Sequence, residues 1–431
     1  MHLYFSGIGG TAIGPLALIA QAAGYAVSGS DKQDSQYVQY LRRKRLDIQI
    51  GQTEQQITQA HKARPIDWFV YSSAVAIENS NAPELAFCRQ NNIRMSKRDE
   101  LLNEIISQKE LKLIAIAGTH GKTTTTAMVV WLFKQLAMPV SYSVGAKIPF
   151  GDMGQYQPES QYFVYECDEF DRNFLAYSPY MSLITGVAWD HHEIFPTRRD
   201  YQQAFVEFID QSGQTFLWQQ DATYLKLEDN SVGLTVLDSN LPSIKAIGLA
   251  GLYNRLDAWL AIQAVASITH EPPAKLMAIM NHFPGLSRRM EPIVPGLYTD
   301  YAHTPDKIRG AMSAALELAD TTNKRLVVIY EPLTNRRQHY MIDDYQDCFS
   351  GAAKLYWLPS YLAREDANQP ILTPAELIAH LTDQNLAEPA EQNDSLKQII
   401  IKHLENGDMV VAMNGGGGGG LDEWLRLNFQ A

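Results

Sequence analysis

Cysteine is nearly absent: Cys88, Cys167 and Cys348 are the three in 431 residues. They lie far apart and form neither a metal-binding spacing nor a disulfide framework, so a reducing compartment is expected. Positive charge is also in deficit. Against 48 aspartates and glutamates stand 36 lysines and arginines, a net charge of -12, which argues against a nucleic-acid binder. No apolar run approaches the roughly 18 residues of a membrane span. The start, Met1-His2-Leu3-Tyr4-Phe5, has no basic n-region and runs into a glycine turn. It predicts a first strand rather than a signal peptide, and with it a cytoplasmic protein without membrane insertion. No repeat of solenoid period is present. What remains is a globular composition, 45% hydrophobic and 19% charged, in a chain long enough for two or three cores.

Strand and helix patterns alternate along the chain, which predicts α/β architecture with doubly wound parallel sheets. Strands are expected at Leu3 to Ser6, up to Asp31, and at Trp68-Phe69-Val70-Tyr71. The polar stretch Ser107-Gln108-Lys109-Glu110 then marks a boundary. A second unit opens with the strand Leu113 to Ala117 and holds further strands at Tyr162 to Tyr165 and Met181 to Thr185. A third begins near Glu291, with strands at Tyr298 to Tyr301, Arg325 to Tyr330, Lys354 to Leu358 and Met409 to Met413. The expected domains are 1-108, 109-290 and 291-431: a Rossmann-like fold, a central mononucleotide-binding sheet, and a second Rossmann-like fold.

Two glycine turns sit where a strand meets a helix. Gly7, Ile8, Gly9 and Gly10 open the first helix, and glycines there let the backbone approach a pyrophosphate held at the helix N-terminus. Asp31 closes the next strand, where an acid can accept from a ribose hydroxyl. The second turn, Gly118-Thr119-His120-Gly121-Lys122-Thr123, is a short phosphate loop; Ile116 stands where the longer form has its first glycine. Backbone N–H groups would cradle a triphosphate, Lys122 would meet its charge, and Thr123 would ligate magnesium. Thr124, Thr125 and Thr126 follow, poor helix formers without a purely structural reason to be there. Two clusters fall at neighbouring strand ends: Glu166-Cys167-Asp168-Glu169 with Asp171, and Asp190-His191-His192-Glu193. Glu166 and His191 are the candidate metal ligands with Thr123, since a magnesium beside a triphosphate takes few protein oxygens and keeps its waters.

These motifs, in this order, resemble the Mur ligases over essentially the whole chain. The shared run is Gly7 to Gly10, Ala117 to Thr125, Glu166 to Glu169, Asp190-His191, Tyr253-Asn254, Arg288-Arg289 and Asp300-Tyr301-Ala302-His303. The resemblance implies three domains, ATP and Mg2+ as cofactors, and a cytoplasmic, ADP-forming carbon–nitrogen ligase of peptidoglycan synthesis. UDP-N-acetylmuramate would be bound by Gly7, Ile8, Gly9, Gly10, Asp31, Ser72 and Ser73. ATP would be bound by Gly118, Thr119, His120, Gly121, Lys122, Thr123 and Thr124, with Asn254, Asp257, Arg289 and Asp300. Lys122, Glu166, His191 and Arg289 carry the catalytic expectation, with Arg288 as the alternative to its neighbour.

Within the family the glycine pattern of the first turn and Ser72-Ser73-Ala74 fit the branch that joins L-alanine to UDP-N-acetylmuramate. Phe205 stands where other branches carry a carbamylated lysine. Other stretches, Asp190 to Phe195, Met413 to Gly416 and Glu331 to Arg336, resemble the recycling ligase that attaches a tripeptide to the same nucleotide. Gln52 and Asp257 depart from the residues the alanine branch usually has. L-alanine or a short peptide is thus the implied incoming partner, met by His303, Arg336 and Arg337. The Gly415 to Gly420 run reads either as an anion cradle or as a linker. A monomer or weak homodimer is expected. Rival readings are a simple ATPase or kinase, a dinucleotide oxidoreductase, and a non-catalytic nucleotide-binding relative.

Overall fold

In the computed structural model the chain forms three β-sheets flanked by helices. The structure describes every residue except 73, 74, 76–78, 80, 192, 193, 228–232, 363–367, 416–419 and 431. Two compact units result: Met1–Ile244 with Asp257–Pro284, and Lys245–Leu256 with Gly285–Ala431.

The first unit holds two of the sheets. Strands β1 (His2–Ser6), β2 (Ala26–Asp31), β3 (Asp47–Ile50), β4 (Trp68–Tyr71) and β5 (Arg94–Ser96) run in the order β3-β2-β1-β4-β5, every pairing parallel. β1 is buried along its whole length, as expected of a central parallel strand covered on both faces. Helix Ile13–Ala22 carries eight consecutive buried residues from Ile13 to Ala20, so it is apolar all round and packs into the interior. β3 lacks a sequence signal: Asp47-Ile48-Gln49-Ile50 is short and half polar, and only its pairing with β2 makes it a strand.

The second sheet has the order β12-β11-β10-β6-β9-β7-β8. Its strands are β6 (Lys112–Ala117), β7 (Ser141–Ser143), β8 (Gly154–Gln155), β9 (Tyr162–Glu166), β10 (Met181–Ile184), β11 (Thr215–Trp218) and β12 (Leu234–Leu237). All pair parallel except β7 with β8. β6 lies between β9 and β10, with Ile116 opposite Glu166 and Ala117 opposite Ile184. The carboxyl ends of three neighbouring strands therefore open on one place, where ligands bind in open α/β sheets.

The second unit is built on β13 (Glu291–Val294), β14 (Leu297–Asp300), β15 (Leu326–Glu331), β16 (Lys354–Trp357), β17 (Ala387–Pro389) and β18 (Met409–Asn414), ordered β13-β14-β18-β15-β16-β17. Only the β13–β14 hairpin is antiparallel. Alternation divides the core cleanly. Val328, Tyr330, Val411 and Met413 join one apolar cluster, while Val327, Ile329, Val410 and Ala412 join the cluster on the opposite face. Among the described residues no helix is long and apolar enough to cross a membrane.

Candidate functional site

The phosphate loop leaves β6 at Ala117 and enters helix Lys122–Gln135. Its turn depends on glycine at two places. Gly118 has φ 138° and Gly121, the residue capping the helix, φ 78°. A Cβ at Gly118 would lie 2.9 Å from the Gly186 carbonyl oxygen, and one at Gly121 would lie 2.6 Å from Asp257 Oδ1. Both the left-handed backbone and the close approach exclude a side chain. The loop is then tied to its neighbours. Thr119 N–H donates to the Gly186 carbonyl at 2.9 Å, and the Thr185 hydroxyl donates to the His120 carbonyl.

Lys122 Nζ donates to the Gly118 carbonyl and to Glu169 Oε2, each at 2.6 Å. Burial works against its charge, but Glu169 and the nearby Asp168 and Glu166 outweigh burial and hold the ammonium above its ordinary value. Thr123 Oγ1 donates to Glu166 Oε1 at 2.9 Å, and Gly145 N–H donates to the other Glu166 oxygen at 3.2 Å. The expected partners Lys122, Thr123 and Glu166 thus stand together. Thr124, Thr125 and Thr126 are buried, and Thr126 Oγ1 donates back to the Lys122 carbonyl at 2.8 Å.

His191 reaches the same place from β10, with Nε2 3.6 Å from Glu169 Oε1. Ligand atoms of Asp168, Glu169 and His191 all lie within 4.8 Å of one another. The fully buried Glu169 is the residue the sequence reading passed over: it meets Lys122, His191 and, at 3.5 Å, the Tyr201 hydroxyl. Its signal was present, an acid three residues past Glu166 just beyond the strand end. Tyr201 also bonds Thr119 Oγ1 at 2.8 Å. Phe205 is fully buried against Phe174, with ring centroids 5.2 Å apart. Lys97 bonds Asp171 at 2.7 Å and Arg98 approaches Asp168 at 4.0 Å, steadying the acidic segment, whose Asp171 and Arg172 both have positive φ. His192 and Glu193 lie outside the described residues. Cys167 is buried, and burial raises its thiol well above the usual range, which fits a packed thiol.

At the first glycine turn, Gly7 and Ile8 N–H both donate to the Ser30 carbonyl, at 2.9 and 3.0 Å. Asp31 Oδ2 accepts from Gly9 N–H at 2.7 Å and Oδ1 accepts from Gln33 N–H at 3.1 Å. The structure therefore engages Asp31 on the turn itself. Gly10 N–H returns to the Gly7 carbonyl at 3.1 Å, and Ser72 N–H donates to the Ser6 carbonyl at 3.3 Å, beside Gly7. Ser73 and Ala74 lie outside the described residues. Beneath the turn Glu84, fully buried, accepts from Ser6 (2.5 Å), Ser30 (2.6 Å) and Tyr4 (3.1 Å), and Gln52 Nε2 donates to Ser6 Oγ at 2.8 Å.

The second unit gathers a basic cluster around one imidazole. Asp300, at the end of β14, is buried and accepts from Met290 N–H at 2.8 Å. Burial raises its carboxyl and Arg289 opposes that rise. Arg288 and Arg289 lie over the Tyr301 ring, 4.4 and 5.1 Å from its centre. Arg288 also donates to Asn414 Oδ1 at 3.0 Å. His303 is 4% exposed, with Nδ1 3.0 Å from the Tyr301 carbonyl. Burial first, then Lys307, Arg337 and Arg289, drive it well below its ordinary value, so the ring is neutral. Of the two expected arginines Arg337 is half-buried and its charge disfavours protonation of His303, while Arg336 is exposed. Lys307 had no motif to reveal it. Gly415 backs onto His303, where a Cβ would lie 3.3 Å from both Cβ and Cγ of the histidine; residues 416–419 lie outside the described residues. Asn254 Nδ2 donates to the Ala250 carbonyl at 2.8 Å.

Residues 2–110 match the catalytic-domain model of the Mur ligase family and residues 116–236 match the Mur ligase middle domain. The UDP-N-acetylmuramate–L-alanine ligase of Renibacterium salmoninarum is 30% identical, the match covering 96% of this chain and 93% of that one. Among solved structures, the UDP-N-acetylmuramate–alanine ligase of Thermotoga maritima superposes with a TM-score of 0.75 at 21% identity, over 97% of this chain and 96% of that one. A murein peptide ligase of Psychrobacter arcticus gives 0.67 at 21% identity, over 100% and 99%.

Proposed function

Since the chain belongs to the Mur ligase family, we propose that it joins L-alanine to UDP-N-acetylmuramate with cleavage of ATP to ADP and phosphate, as a cytoplasmic step of peptidoglycan synthesis. The observation that carries this reading is a full-length relative of that activity, together with the convergence of Lys122, Thr123 and Glu166 at the carboxyl ends of β6 and β9. In this reading residues 1-108 bind the nucleotide sugar, 109-290 bind ATP, and 291-431 receive the amino acid.

The lactyl carboxylate of the sugar attacks the γ-phosphorus of ATP, the bond to the bridging oxygen breaks, and ADP leaves. The alanine amine then adds to the acyl-phosphate carbonyl, the amine loses a proton, and phosphate departs from the tetrahedral intermediate. Negative charge gathers at each step, so positioning and fixed positive charge do most of the work. Loop N–H groups and Lys122 hold the phosphates. Thr123 Oγ1 and Glu166, two hard oxygen donors already 2.9 Å apart, would hold Mg2+, with His191 beside them at Glu169. Mg2+ bound there would neutralise phosphate charge. Arg289 is assigned to the phosphate, Asp300 to the mouth of the second unit near ATP and the incoming amine, and Asn254 and Asp257 to adenine. Gly7 to Gly10, Asp31, Ser72 and Ser73 are assigned to the UDP portion, with Asp31 acting through the turn it braces.

The alanine carboxylate is assigned to Arg337 and Lys307 around neutral His303, with Arg336 at the rim. A second reading, ligation of a ready-made tripeptide, is favoured by one stretch, Glu331-Pro332-Leu333-Thr334-Asn335-Arg336. Phosphate release with ATP, Mg2+ and UDP-N-acetylmuramate decides between them. Turnover is expected with L-alanine above glycine, L-serine and the stem tripeptide, and turnover with the tripeptide alone would replace the first reading by the second.

A further inference from the structure

The segment that delivers His191 leaves β10 at Ile184 and has no regular structure up to residue 191. It is held from two sides. On one side Thr119 of the phosphate loop makes three bonds: its N–H donates to the Gly186 carbonyl at 2.9 Å, its hydroxyl donates to the Ala188 carbonyl at 2.8 Å, and Ala188 N–H donates back at 2.9 Å. A second hold comes from a carboxylate on the neighbouring strand's helix. Asp221, in the first turn of helix Gln219–Leu225 directly after β11, accepts from Val187 N–H through Oδ1 at 3.0 Å. Asp221 is 5% exposed, and Oδ2 is buried with no hydrogen-bond partner among the described residues. A buried carboxylate with one backbone bond is a costly way to satisfy one N–H. The position beside Val187, between Gly186 and Ala188, gives that acceptor a use. It fixes Val187, which stands between Gly186 at φ 158° and the stretch leading to His191 at φ 54°, whose imidazole lies against Glu169.

We propose that Asp221 is a positioning residue for the reaction. By accepting the Val187 N–H, it locks the Gly186-to-His191 segment and places the His191 imidazole at the phosphate loop. The inference rests on the assignment of His191 to the metal side of the site. Asp221 acts through the Val187 N–H rather than on a reacting atom. What it supplies is an acceptor at a fixed distance, rather than a charge, so the conservative variants separate the two possibilities. Asp221→Asn keeps the length and an acceptor oxygen. Asp221→Glu keeps the charge and displaces the acceptor by one methylene. Asp221→Ala removes the acceptor.

The test combines Mg2+ titration of the ligase rate with hydrogen exchange of the Val187 amide in the free protein. Residues that orient a metal ligand typically affect metal affinity or activity by about 10–100-fold. Asp221→Ala and Asp221→Glu are expected to raise the Mg2+ concentration at half-maximal rate, or to lower kcat, by about tenfold or more, with KM for ATP little changed. Both lose protection at Val187, whereas Asp221→Asn keeps the protection and most of the rate. In a His191→Ala background, Asp221→Ala is expected to add nothing further. The inference is overturned if Asp221→Glu preserves function while Asp221→Asn loses it, or if the effects of Asp221→Ala and His191→Ala multiply. Should Asp221→Ala fail to fold, the Asn and Glu variants carry the same comparison. If His191→Ala leaves the Mg2+ requirement untouched, the metal assignment of His191 falls, and Val187 exchange decides the anchoring separately.

Discussion

Lys122 Nζ stands 2.6 Å from Glu169 Oε2 at the centre of the phosphate loop, a contact between two side chains that are both largely or wholly buried. The ammonium is therefore already paired before a nucleotide arrives, and a phosphate must share it with Glu169 or displace that carboxylate. Charge-assisted bonds of this kind are among the strong ones. Lys122→Ala is expected to lower ligase turnover on the order of 10²–10³-fold, the effect of losing one preorganised group at developing charge. Circular dichroism would show the fold retained. Glu169→Gln is expected to act in two directions: tighter ATP binding without metal, by about tenfold or less, but slower turnover, because His191 loses the carboxylate it faces. Isothermal titration with ATP alone, set beside steady-state rates, reads both. Weaker ATP binding in Glu169→Gln would contradict a competing role for that carboxylate.

Thr123 and Glu166 form the second close pair, and their predictions concern the cation. Thr123→Ala removes one oxygen and Glu166→Gln removes the carboxylate charge. Each is expected to raise the Mg2+ concentration required for half-maximal rate by about tenfold or more. Thr123→Ser, which retains the hydroxyl, is expected to remain within a few-fold of the parent. A Mg2+ titration at saturating ATP checks all three, and an unchanged requirement in Glu166→Gln would remove that residue from the metal site.

On the amine side two adjacent arginines differ in burial and in their effect on His303. Arg337 contributes to the field that keeps His303 neutral, whereas Arg336 is exposed. Arg337→Ala is expected to raise the KM for L-alanine by about tenfold or more, the cost of one charge-assisted contact, while the KM for ATP stays close to the parent value. Arg336→Ala is expected to change neither by more than about twofold, the small effect typical of exposed charge. Equal effects of the two substitutions would move the carboxylate away from His303.

Much of this arrangement was legible in the sequence, and the parts that were not share a physical reason. Strands such as Trp68–Tyr71 and Met409–Asn414 are continuous apolar runs between turns, so composition alone marks them. Gly118 and Gly121 announce the loop because their φ values admit little else. β3 was missed because Asp47-Ile48-Gln49-Ile50 is short and half polar, and gains its identity only by pairing with β2, the strand before it. Glu169 was seen only as part of an acidic run, since its partners Lys122 and His191 are brought to it by strand order rather than by spacing. Asp31 shows the converse: its place at a strand end pointed to a ribose, and the structure engages it on Gly9. Lys307 and Asp221 lie in no motif. What marks them is a neighbouring imidazole and a neighbouring backbone N–H, neither visible in sequence spacing.

Asp221 also makes a prediction about stability that does not depend on catalysis. Burial pushes its carboxyl up to about 6, against the partial opposition of the Val187 N–H, whereas an unfolded chain would release the proton near pH 4. Between those values the folded protein binds more proton than the unfolded one, so stability attributable to this group falls as pH rises from about 4 to 6 and stays lower above it. A displacement of about two pH units corresponds to up to ~3 kcal/mol, at roughly 1.4 kcal/mol per unit. Asp221→Asn cannot ionise and keeps an acceptor for Val187. Its stability relative to the parent is therefore expected to be greatest above pH 6 and to shrink towards zero below pH 4. Other carboxylates work the opposite way: Arg426 holds Glu291 below its ordinary value against burial, and acid weakens that pair in parent and variant alike. The difference between the two urea midpoints across pH 4 to 8 isolates Asp221. A difference that stayed flat with pH would mean that the buried carboxyl titrates no differently in the folded and unfolded chains.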